Sequence, residues 1–144
     1  MAVFEDVFSE AQTGMVQAAF DYAAGQADDI YIYFSMLGGS YGADTFFAKD
    51  GRVYHTHKLP GVDVSEARQD ILLDVYQESL EAIRAACKEF GRPMPMEGYL
   101  HYHVGGGLDA RYSYEDTPVD ENAVYGEELE AWMVAVQAEF DAAR

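Results

Sequence analysis

The sequence predicts an α+β fold, a mainly antiparallel sheet of about five strands with N-terminal, central and C-terminal helices. Three observations predict it. The hydrophobic spacing switches along the chain between a period near 3.6 and a period of two. Asp50-Gly51 and Gly105-Gly106-Gly107 each separate two strand-like runs, as hairpin turns do. Helical stretches bracket groups of strands instead of alternating with them one by one, which argues against a parallel α/β sheet.

Phe4, Phe8, Ala11, Met15, Ala19 and Tyr22 recur at steps of three and four, so residues 3 to 24 read as an amphipathic helix. Glu5, Asp6 and Glu10 suit the positive end of its dipole, and Gly25 is its stop. From Asp29 the period falls to two. Ile30, Ile32, Phe34 and Met36 take one face of a strand, and Tyr31, Tyr33 and Ser35 the other. After a glycine-rich loop over 38–42, Thr45 to Ala48 and Arg52 to His57 read as two strands around Lys49-Asp50-Gly51. That turn pair tolerates the positive φ angles of a tight hairpin.

Leu59-Pro60-Gly61 closes the third strand, and Asp63 with Glu66, or Ser65 alone, can cap the next helix. Leu72, Tyr76, Leu80, Ile83, Cys87 and Phe90 then hold an apolar stripe through about seven helical turns at 3.6 residues each. Gly91 and Pro93 end the helix in the expected order. Tyr99 to Val104 and Leu108 to Tyr114 form a second hairpin, and the connection carrying the long helix would let the third and fourth strands run parallel if adjacent. Thr117-Pro118 suits a helix start, and Leu129, Trp132, Val136 and Phe140 mark the apolar face of a terminal helix. No repeat, linker or low-complexity segment interrupts the 144 residues, which fit one domain over 1–144.

The charge is one-sided. Asp plus Glu number 26 against 9 Lys plus Arg, a formal charge of −17. No Lys or Arg occurs in residues 1–48 or 112–143. Such a surface repels phosphate backbones and anionic lipid and steers basic proteins towards it, so direct nucleic-acid or membrane binding is not expected. Hydrophobic residues at 49% and aromatics at 14% are too many for a disordered acidic chain. The single cysteine, Cys87, excludes an internal disulfide and reads as a small core residue on the helical stripe. With no signal-like start and no apolar run approaching the roughly 20 residues of a membrane span, a cytoplasmic location is the expectation.

Two His-x-His pairs, His55-Thr56-His57 and His101-Tyr102-His103, fall on expected strands, where alternation puts both members of a pair on one face. Side by side, those strands would bring four imidazoles together, as a metal site or as acid–base groups near neutral pH. Their ordinary reading is polar residues on a sheet face. Neither glycine-rich loop stands between a strand and a helix with a following Lys-Ser or Lys-Thr, so both read as turns and not phosphate cradles. Tyr31, Tyr33, Tyr54, Tyr99 and Tyr112 are expected on strand faces that are half buried or solvated, where tyrosine makes a good interface. Asp109, Glu115, Asp116, Asp120, Glu121, Glu127, Glu128 and Glu130 form a dense acidic run behind the last hairpin, a solvated face or a patch for Arg and Lys.

The order Ile30-Tyr31-Ile32-Tyr33, Thr45-Phe46-Phe47, Asp50-Gly51, Leu59-Pro60-Gly61, the long acidic helix, and Arg111-Tyr112-Ser113-Tyr114-Glu115-Asp116 resembles the YezG-like family. Its members are immunity proteins of bacterial polymorphic toxin systems. The similarity covers about Phe4 to Trp132, and the Tyr-x-Tyr-Glu-Asp sequence is its most specific piece. The chain departs from the family where a tryptophan tends to precede the fourth strand, with Met96 and Tyr99 there instead. The resemblance implies an α+β immunity protein, not an enzyme and without a cofactor, that binds and blocks the toxic C-terminal domain of a secreted partner, often a nuclease. Occlusion of a basic, phosphate-binding surface by acidic residues is the implied mechanism. Tyr112, Tyr114, Glu115, Asp116, Asp120 and Glu121 are the expected partner-binding residues. A metal-dependent hydrolase using His55, His57, His101 and His103 is the alternative from another class, and an acidic nucleic-acid mimic is a third reading.

Overall fold

The computed structural model describes residues 4–36, 42–114 and 124–143. Among these residues three helices and a five-stranded antiparallel sheet follow the expected order. Helix α1 (Phe4–Ala23) leads into β1 (Asp29–Ser35), β2 (Gly42–Lys49) and β3 (Arg52–His55). A short 3-10 turn (Thr56–Lys58) and helix α2 (Glu66–Phe90) follow, then β4 (Glu97–His103), β5 (Leu108–Ser113) and helix α3 (Val124–Ala142). Thr117-Pro118, expected at the start of the last helix, lies outside the described residues. Among the described residues no helix is long and apolar enough to cross a membrane.

The strand order is β3-β2-β1-β4-β5, with every neighbouring pair antiparallel. The third and fourth strands are therefore not partners, parallel or otherwise. β2 and β1 stand between them, because the chain returns from α2 to the far side of β1.

Local chemistry explains the boundaries. Lys49 pairs with Arg52 across a two-residue turn in which Asp50 and Gly51 have φ of 53° and 78°. Both values are positive, as the tight hairpin geometry that matches sheet twist demands. Helix α2 starts at the N-cap Ser65, whose hydroxyl accepts from the Arg68 N–H, and ends where the Gly91 N–H bonds back to the Cys87 carbonyl. At Gly98 on β4 an added Cβ would lie 2.2 Å from the Phe34 ring on β1, so only a glycine lets that ring lie across its neighbour.

Two helical layers cover the sheet. On one face Met15, Ala19 and Tyr22 of α1 and Leu72, Tyr76, Leu80 and Ile83 of α2 pack on Ile30, Ile32, Phe34, Phe47 and Leu100. Cys87 is buried in the same core. On the other face Leu129, Met133 and Val136 of α3 pack on Tyr31, Tyr33, Phe46 and Ala48, with Val53, Tyr99, Trp132 and Phe140 at the margin. β1 is buried along its whole length for this reason. Burying each large side chain of this kind contributes about 1.5–3 kcal/mol.

The tyrosines divide accordingly. Tyr31 and Tyr33, expected on a half-buried or solvated face, are core residues under α3, with Tyr33 at 0% exposure. Alternation separates them correctly from Ile30 and Ile32, but a third helix covers their side too. Tyr54 and Tyr112 lie at the margin of the opposite core, against α1 and α2. The five tyrosines therefore share no single surface.

Candidate functional site

The two histidine pairs lie apart. His55, Phe46, Tyr31 and His101 form one row across β3, β2, β1 and β4, so His55 and His101 are three strand spacings apart, about 14 Å. His57 is not on a strand at all, because the chain leaves the sheet at Thr56 and enters the 3-10 turn. The convergence of four imidazoles on one metal is thereby excluded. Among the described residues no three of His, Cys, Asp and Glu are grouped to hold a metal ion.

Each pair has its own partners. His101 Nε2 and His103 Nδ1 lie 2.8 and 2.9 Å from the same Oδ1 of Asp29, a residue only 7% exposed at the start of β1. The His101 ring also stacks on Tyr31 at 4.3 Å, and Tyr31 stacks on Phe46 at 4.4 Å. Trp132 of α3 meets Tyr31, Phe46 and Tyr99 edge-on, closing this aromatic row from above. At the other end His55 Nε2 is 2.9 Å from Glu130 of α3, and the His55 and His57 rings lie 5.6 Å apart.

A hollow lies beside His55. It has a volume of about 540 Å³, is walled by Ala43, Leu72, Leu73 and Tyr76, and carries Asp44, His55, His57, Gln69 and Gln77 as its polar groups. Its origin is a mismatch of strand lengths. β3 stops at His55, opposite Phe46, whereas β2 runs on to Gly42. Among the described residues, 42–45 of β2 therefore have β1 on one side and no strand on the other.

Side chains stand in for the missing strand at Thr45. Its carbonyl accepts from the Thr56 hydroxyl at 2.7 Å, and its N–H donates to Asp44 Oδ1 at 2.8 Å. The Thr45 hydroxyl is bonded to the Tyr76 hydroxyl, which ties β2 to α2 at the base of the hollow. Burial pushes the Asp44 carboxyl above its ordinary pKa. The Thr45 N–H and the imidazoles of His55 and His57 oppose that rise, and Glu130 adds to it.

A second groove of about 480 Å³ runs between α3 and β5, where α3 leaves the outer sheet face uncovered. Asp109, Arg111, His101 and Glu139 border it, with the Arg111 guanidinium 4.9 Å over the Tyr99 ring.

Of the residues expected to bind a partner, Tyr114 is 52% exposed just beyond the end of β5. Tyr112 points the other way. Its ring packs edge-on against Phe8 and near Phe34, its hydroxyl bonds to the Gln12 side chain, and burial raises its pKa. Glu115, Asp116, Asp120 and Glu121 lie outside the described residues. Asp44 and Asp29 are not among the site residues that the sequence suggests, and Glu130 enters there only as a member of the acidic run behind the last hairpin. The sequence places Asp44 just before a strand starting at Thr45, whereas β2 starts at Gly42 and takes it in, so an aspartate ends up inside a strand against β-propensity. A further acidic feature appears on α2, where Glu66, Asp70, Asp74, Glu78 and Glu81 all face solvent at steps of three and four. They form one stripe about 22 Å long at 1.5 Å per residue.

Compared with known proteins, the chain matches no family model and no curated protein.

Proposed function

We propose that this protein is an immunity protein that binds a basic protein partner and occludes it, the partner being the toxic C-terminal domain of a secreted protein, most simply a nuclease. The observation that carries the reading is the charge of −17, with no cation in residues 1–48 or 112–143. A nuclease must present a cationic surface to phosphates, and an acidic scaffold covers that same surface. Tyr112, Tyr114, Glu115, Asp116, Asp120 and Glu121 are the residues proposed to contribute to the contact, and the acidic stripe of α2 supports the same polarity of partner. Binding of this kind requires neither cofactor nor catalysis, and it belongs in the cytoplasm of the producing cell.

The test begins with the adjacent reading frame, which should encode a large exported protein ending in a compact cationic domain. Co-expression of this chain should rescue growth from that domain, and association should slow as salt screens the field. Charge reversal of Glu115, Asp116, Asp120 and Glu121 together should weaken binding and flatten its salt dependence. Unchanged affinity and salt dependence would place the contact elsewhere, and turnover of a substrate by the isolated chain would refute the reading.

A further inference from the structure

The peptide groups of a strand point alternately to its two sides. The Met36 N–H donates to Met96 and the Val104 N–H donates to Asp28, so the even-numbered residues of β1 face β4 and the odd-numbered ones face β2. On β2 the partners of those odd residues are Gly42, Asp44, Phe46 and Ala48. The peptide groups of Ala43, Thr45, Phe47 and Lys49 therefore turn outward, towards β3. Phe47 and Lys49 have β3 residues opposite them, and Thr45 is satisfied by Thr56 and Asp44. Further along that edge, the Gln137 side chain of α3 accepts from the Val53 N–H and donates to the Gly51 carbonyl, closing the outer side of β3. Among the described residues no partner meets the outward N–H and carbonyl of Ala43, which are left at the hollow next to the half-buried carboxylate of Asp44.

We propose that β2 at Ala43 receives an extended segment of a basic protein partner as an added strand, with Asp44 taking a Lys or Arg side chain of that segment. Three features favour this occupant. An edge with unpaired peptide groups is a template for another strand. The hollow beside it is walled by Leu72, Leu73 and Tyr76, which accommodate the aliphatic stem of a long cationic side chain. Its charge complement comes from Asp44, with Glu130 nearby and the −17 of the whole chain behind them. The outer edge of β5 is also a strand edge and borders the second groove at Ala110, but it carries the exposed charges Asp109 and Arg111, and charged side chains of both signs on an edge discourage pairing.

The inference rests on the proposed function only for the sign of the partner's charge. Its test uses the whole chain and two synthetic peptides, acetyl-Val-Thr-Arg-Thr-Val-amide and the same peptide with Glu in place of Arg. In the free protein the Ala43 amide should exchange with solvent deuterium rapidly, unlike its neighbour Asp44. Saturation with the Arg peptide should slow Ala43 exchange at least about tenfold and move the amide resonances of residues 42–45. The Glu peptide should do neither, and Asp44→Asn should weaken the Arg peptide roughly tenfold. Ala43→Pro, which removes only an outward N–H, should abolish binding. Should that variant unfold, Asp44→Asn carries the test, since its amide oxygen still accepts from Thr45. Protection of Ala43 in the free protein, equal binding of both peptides, or protection of Ala110 in place of Ala43 would each overturn the inference. A toxin that binds while the peptides fail would sink this site and leave the proposed function standing. Peptides that bind when no toxin is neutralised would do the reverse.

Discussion

His101 and His103, on one strand, share a single carboxylate oxygen of Asp29 on the next, at 2.8 and 2.9 Å. Asp29 is 7% exposed, whereas the His103 side chain is 62% exposed, so the carboxylate is the member of the cluster that the fold has removed from water. Its two imidazole partners compensate for that removal.

Truncating Asp29 should therefore cost more than truncating a partner. Asp29→Ala should destabilise the protein by roughly 1–3 kcal/mol, because it removes the buried acceptor that both imidazoles share. His103→Ala should stay within about 0.5 kcal/mol, as most exposed substitutions do. Urea denaturation at pH 7 measures both, and equal losses would contradict the asymmetry.

The contact between Gly98 and Phe34 gives a second prediction. Gly98→Ala puts a Cβ 2.2 Å from the ring and should cost about 1–3 kcal/mol or more by overpacking. Phe34→Leu alone leaves a partial cavity and is also destabilising. The double variant should be less unstable than the sum of the two, and strict additivity in a double-mutant cycle would count against the steric account.

Trp132 is the sole tryptophan of the chain, so its emission reports on α3 alone. It touches Tyr31, Phe46 and Tyr99 but remains half buried. Trp132→Ala should cost around 3 kcal/mol, the lower end for a large aromatic. Tyr31→Ala should shift the emission of Trp132 to the red before global unfolding. An unchanged spectrum would mean that α3 does not rest on the aromatic row.

Asp44 predicts a pH dependence of unusual sign for a carboxylate. Its folded pKa is raised above the ordinary 3.8, so the folded state holds the proton more tightly than the unfolded chain does. Stability from this group is present below the ordinary value and is lost as pH rises through the folded pKa. At pH 7 the ionised carboxylate is a net cost, and Asp44→Asn, which keeps an acceptor for the Thr45 N–H, should stabilise the protein. The gain should shrink as pH is lowered towards 4. A variant less stable than the parent at pH 7 would refute this account.

The elements that local chemistry defines are the ones the sequence makes legible. Helix α2 begins at Ser65 and ends at Gly91 because a hydroxyl and a glycine do the capping, and both are visible in the chain. The Asp50-Gly51 hairpin is equally local. Strand order is not. Nothing near Glu97 says that β4 inserts beside β1, and that insertion is what separates the histidine pairs. His57 reads as a strand residue by composition, yet the Thr56 hydroxyl reaches the Thr45 carbonyl and the chain turns away. The alternation of Tyr31 and Tyr33 with Ile30 and Ile32 reveals two faces without revealing that α3 covers one of them. The hollow at Asp44 arises from the unequal lengths of β2 and β3, a relation between two strands that neither strand encodes by itself.

Among the described residues α3 is the helix that covers the tyrosine side of the sheet, and it is made after every strand of that sheet, so a ribosome exposes Tyr31, Tyr33 and Phe46 to the cell until this nineteen-residue helix emerges. Vectorial synthesis thus leaves a sticky intermediate whose lifetime is set by translation of the C-terminal stretch. Chaperone dependence should accordingly concentrate in that interval.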